Sequence, residues 1–134
     1  MKRFTFLIAL LLLGLSVCSC GANTVEKACK KADKMLVEWT KEGFAGCSYT
    51  GEYKTVQGLP CYTVNARLST SASSLGSDDF DLVASIATRK VEGTVYSELT
   101  DLFSEFEVTV LITVADSRGN VYAGIVDGEI TWFD

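Results

Sequence analysis

Residues 105–115 read EFEVTVLITVA. Phe106, Val108, Val110, Ile112 and Val114 alternate with Glu105, Glu107, Thr109, Leu111 and Thr113, the two-residue period of a strand with one buried face. On its C-terminal side, Asp116-Ser117-Arg118-Gly119-Asn120 is turn chemistry, with glycine where a positive φ is needed. Residues 121–133 then run back antiparallel, with Asp127-Gly128 offering a bulge. Trp132 and Phe133, close to the end, read as strand-end core residues.

Upstream of this hairpin the period changes to that of a helix. Over residues 79–103, Phe80, Val83, Ile86, Ala87, Val91, Val95, Leu99, Leu102 and Phe103 trace one apolar stripe. Gly93 and Thr94 interrupt it, which predicts a kink or two shorter helices; the rival reading makes 91–96 a strand. Asp78, Asp79 and Asp81 sit in the first turn, where carboxylates complement the backbone dipole. They lack the glycine and the distal glutamate of a calcium loop, so no metal is expected there. Residues 69–77, STSASSLGS, read as a polar, mobile loop.

The first half of the chain repeats the order. Residues 23–44 read as a helix capped by Asn23 or Thr24, with Val25, Ala28, Cys29, Ala32, Met35, Leu36 and Trp39 on one face. In 47–56 the odd positions Cys47, Tyr49, Gly51, Tyr53 and Thr55 share a face, and in 60–69 Tyr62, Val64, Ala66 and Leu68 do. Gln57-Gly58-Leu59-Pro60 between them is a turn, so the two runs form an antiparallel hairpin. Helix, hairpin, helix, hairpin predicts an α+β fold of two layers: a four-stranded, mostly antiparallel sheet with both helices on one face.

The first twenty residues have a different character. Lys2 and Arg3 form a basic head, residues 4–15 are apolar apart from Thr5 and Gly14, and small residues and two cysteines follow. That order is a secretory signal, and the run is too short to span a bilayer. Val17-Cys18-Ser19-Cys20 resembles a bacterial lipoprotein signal, in which an aliphatic and two small residues precede a cysteine that becomes the lipidated first residue. The resemblance implies a signal peptide over 1–19, a single domain over 20–134, and a diacylglyceryl thioether with an acylated amine on Cys20. Cys18 at the middle position departs from the pattern, and it is the alternative lipidation site. Buried acyl chains contribute about 0.8 kcal/mol per methylene, so two or three hold a protein on a membrane. Residue 21 is glycine, not the aspartate that marks inner-membrane retention in enteric-type bacteria, so the implied address is the outer membrane.

With Cys20 lipidated, Cys29, Cys47 and Cys61 remain, and an oxidising compartment permits one bridge among them. The relative rise of helix and strand favours Cys29 with Cys61, whereas strand parity puts Cys47, not Cys61, on the core side; the expected pair is Cys29 and Cys61. The whole chain carries a net charge of −5 with no histidine. Residues 20–77 hold seven basic against five acidic side chains, and residues 78–134 three against twelve. Such a balance does not suit a nucleic-acid binder, which must neutralise phosphates.

No paired carboxylates, cysteine–histidine pair, metal-ligand spacing or phosphate loop appears in the sequence, so neither catalytic nor cofactor-binding residues are assigned. The expectation is a non-enzymatic, lipid-anchored envelope protein, exported and held on the membrane, which binds a protein or cell-wall partner. The alternative is a freely secreted, disulfide-stapled binding or inhibitor domain.

Overall fold

The structure, a computed structural model, describes residues 24–133; the leader, Cys18 and Cys20 lie outside the described residues. The described residues fall into two compact units that part between Lys30 and Lys31. Of the first, the described part is Thr24 and the opening turns of α1 (Val25–Glu42). The Lys27 N–H donates to the Thr24 hydroxyl at 3.1 Å, so Thr24 is the helix cap.

In the second unit, α1 is followed by β1 (Cys47–Val56), β2 (Leu59–Leu68), the single turn α2 (Ala72–Leu75) and α3 (Ser77–Lys90). A π-helical segment (Val91–Tyr96), α4 (Ser97–Leu102), β3 (Thr109–Ala115), β4 (Val121–Val126) and β5 (Glu129–Trp132) complete it. The five strands form one sheet in sequence order. Tyr62 locates the helical layer. Its hydroxyl donates to Asp33 of α1, and its ring lies 5.2 Å from that of Phe103 at the end of α4. Both helical stretches therefore cover the same face of the sheet. No helix among the described residues is long and apolar enough to cross a membrane.

The α+β class agrees with the sequence reading, but the expected sheet of four mostly antiparallel strands with two helices does not. The sheet has five strands and is mixed. β2 and β3 run parallel, Tyr62 opposite Val110, Val64 opposite Ile112 and Ala66 opposite Val114. Parallel neighbours need a long crossover, and the α2–α4 stretch supplies it. The fifth strand arises at Asp127-Gly128. Both residues have positive φ, 53° and 79°, the geometry of a tight hairpin turn, so the chain reverses there and does not merely bulge. Gln57 and Gly58, at 52° and 83°, close the β1–β2 hairpin in the same way. Among the described residues the helical layer has three α-helices of more than one turn, α1, α3 and α4, the last two continuous through the π segment; residues 91–96 are thus helical, not a strand.

Three local readings also change. Residues 105–108 are not strand: Phe103 is buried, and the Phe106 N–H returns to its carbonyl at 3.0 Å, so the chain turns before β3 begins. The buried face of α3 is rotated from the expected stripe. Phe80, Ala84, Ala87 and Thr88 are buried, while Val83 and Ile86 are exposed beside Leu82. The serine-rich connector is tied at both ends, Ser69 N–H to Gly46 O at 3.1 Å and Ser117 N–H to Thr70 O at 2.8 Å, with Ser71 buried.

Candidate functional site

Cys47 and Cys61 are both buried and form no bridge with each other. Register explains this. Cys61 lies opposite Lys54 and Thr109, so alternation turns it to the face away from Tyr62, whereas Cys47 pairs with Leu68 on the Tyr62 side. The Cys47 thiol is pushed up to about 11 by burial, against the opposing effect of a hydrogen bond with Tyr49, and it donates to Ala45 O at 3.5 Å. A thiol held neutral in this way is a poor nucleophile.

The side chains that sequence reasoning placed in the core at the chain's end open instead onto a groove. Trp132 is 47% exposed and Phe133 49% exposed. They form one wall of a cleft of about 390 Å³, with Tyr122 behind them and Phe80, Asp81, Ala84, Ser85 and Arg89 of α3 on the other wall. A register shift at Val114/Ala115 positions Tyr122. Val114 pairs with Ala123 and Ala115 with Val121, so Tyr122 is the extra residue of a bulge and is aimed towards α3. Its ring meets Phe80 edge-on, at 5.5 Å and 81°. The Trp132 indole lies nearly parallel to it, at 6.4 Å and 13°. Beyond β5 the pairing continues by one bond, from Phe133 N–H to Tyr122 O at 2.9 Å. Gly124 leaves room for the Phe133 ring, whose Cζ lies 3.4 Å from where a β-carbon would stand.

Helical spacing builds the α3 wall. Phe80, Ala84 and Thr88 recur at four-residue steps on the buried face, and Asp81, Ser85 and Arg89 form the adjacent row along the groove. Thr88 is fully buried; its hydroxyl donates to Ala84 O at 2.7 Å and lies 3.5 Å from the Tyr122 hydroxyl. Burial pushes the Tyr122 phenol up to about 12, with the Thr88 contact opposing, so the ring is neutral at physiological pH. Asp81, Arg89 and the Trp132 indole N–H have no hydrogen-bond or ion-pair partner among the described residues.

Eight residues at 1.5 Å each place Asp81 and Arg89 roughly 12 Å apart along the helix. Asp81, Ser85 and Arg89 thus set a carboxylate, a hydroxyl and a guanidinium in a row along α3, across the groove from Trp132 and Phe133.

A larger recess of about 640 Å³ lies on the outer face of the sheet, around Thr50, Glu52, Lys54, Asn65 and Thr113. Several of its polar groups pair with one another. Asn65 Nδ2 donates to Thr113 Oγ1 at 3.0 Å, Thr63 Oγ1 to Glu52 O at 3.0 Å, and Lys54 Nζ stands 3.7 Å from Glu52. The aromatic groove, with its unpartnered polar groups, is the better candidate. One sequence signal pointed to it: Asp-Gly followed by Glu-Ile-Thr-Trp is a hairpin turn and an edge strand, and edge-strand side chains are less covered. Comparison with protein-family models, with curated proteins and with solved structures finds no match to this chain.

Proposed function

We propose that this chain is a non-enzymatic bacterial envelope protein, tethered by lipid at Cys20 and addressed to the outer membrane, whose folded part is a binding or assembly module. The observation that carries the tether is the order basic head, apolar run and Val17-Cys18-Ser19-Cys20 in the first twenty residues. The groove supports the binding reading. Its half-exposed indole stands across from a carboxylate, a hydroxyl and a guanidinium set in a row along α3, groups suited to holding a ligand. The partner is a protein or a cell-wall component that meets the domain at the membrane surface.

Changing Cys20→Ser tests the tether. The parent is expected to lose residues 1–19, to gain the mass of its acyl chains, and to sediment with the envelope. The variant is expected to lack the added mass and to leave the membrane fraction or remain unprocessed. A Cys20→Ser protein that is processed normally and still sediments with the envelope refutes the reading.

A further inference from the structure

We propose that the groove between α3 and β4–β5 is a carbohydrate site, in which one or two neutral pyranose rings stack on Trp132 while Asp81 and Arg89 hold their hydroxyls. This rests on the binding-module reading above and names the ligand class of that site. A pyranose has a face of C–H bonds and a rim of hydroxyl groups, each able to donate and to accept. The groove matches both. The half-exposed Trp132 indole, backed by Tyr122 at 13° and Phe80 edge-on, is a rigid aromatic surface whose electron-rich face attracts C–H bonds. On the facing wall, Asp81 supplies acceptors only, Arg89 donors only, and Ser85 between them both.

The spacing and charge narrow the class. Roughly 12 Å between Asp81 and Arg89 is long enough for two linked rings, and one acid with one base leaves the groove without net charge, which favours a neutral ligand. An apolar drug-like molecule is matched by a closed, mainly apolar cavity, whereas this groove is open along α3 and carries charged groups at its rim. A peptide adding a strand needs a longer template than the four residues of β5.

The test is titration calorimetry on the purified full-length chain, in a detergent without a sugar headgroup, with chitotetraose, cellotetraose and maltotetraose as probes. At least one tetrasaccharide is expected to give saturable heat, with affinity reduced about tenfold or more in Trp132→Ala. Asp81→Asn and Arg89→Gln, both exposed and unpartnered among the described residues, are expected to weaken it several-fold with unchanged thermal melting. Those two variants keep the test decisive if Trp132→Ala does not fold. Absence of heat with all three sugars overturns the proposal, as does affinity equal to the parent's in these variants. Because the titration is independent of acylation, its failure leaves the Cys20 test standing, and failure of the Cys20 test leaves the sugar site standing.

Discussion

Gly51 is where the packing of α1 on the sheet is most sharply testable. It lies on the core face of the edge strand β1, opposite Val64. A β-carbon built there would stand 2.4 Å from the Tyr62 hydroxyl oxygen, 2.6 Å from Leu36 Cδ1 and 2.8 Å from Tyr62 Cζ. The Leu36 tip can rotate away, but the Tyr62 ring is held by its hydrogen bond to Asp33 and by Phe103. Gly51→Ala must therefore lift α1 or displace the ring. Overpacking of this kind costs about 1–3 kcal/mol, and replacing a strand glycine recovers roughly 0.5–1 kcal/mol of backbone entropy. The mid-range net loss is about 1.3 kcal/mol, from extremes of about 0 and 2.5, or roughly 5–10 °C in melting temperature. Urea unfolding followed by the emission of buried Trp39 measures it. A cycle with Tyr62→Phe identifies the cause. In the parent, that change removes the bond to Asp33; in Gly51→Ala, it also removes the oxygen nearest the new methyl group, so its cost should fall by about 0.5 kcal/mol or more. A Gly51→Ala protein as stable as the parent, or a cycle that closes without coupling, refutes the close approach of α1.

Two further expectations follow from the same geometry. Gly93, in the π-helical segment, would place a β-carbon within 4 Å of nothing, so Gly93→Ala should stabilise by about 0.5–1 kcal/mol in thermal melts; a loss would mean that the segment needs glycine. Asp116 is buried, which alone would raise its pKa, but hydrogen bonds from Asn120 and from the Arg118 N–H, with the Arg118 charge, outweigh burial and hold it below the usual carboxylate range. A depressed folded pKa contributes stability that is present above the usual aspartate range and is lost as pH falls through the folded value. Asp116→Asn should thus cost about 1 kcal/mol at neutral pH and show a gap from the parent that closes in acid; urea midpoints at both pH values check this, and a gap independent of pH counts against it.

Much of the architecture was legible in side-chain period. The buried Cys47 and Tyr49 on the odd-numbered face of β1, the alternation within β3, the helical period of α1 and the Thr24 cap all follow from rules that act within a few residues. The candidate site was legible only in part: Phe80 stands on the expected apolar stripe, but Trp132 and Phe133 were assigned to the core because aromatic character alone does not say what covers a ring.

Sequence by itself therefore determined most of the local elements and the side of α1 and of β2 that seeks cover. Tertiary structure alone decided that β2 and β3 lie parallel, that Val83 and Ile86 stay exposed, that a bulge aims Tyr122 at α3, and that Gly51 must lack a side chain. The physical reason is range: period and turn chemistry are set by neighbours in the chain, whereas strand partners, bulges and the space beside a glycine are set by residues far along it that meet only on packing.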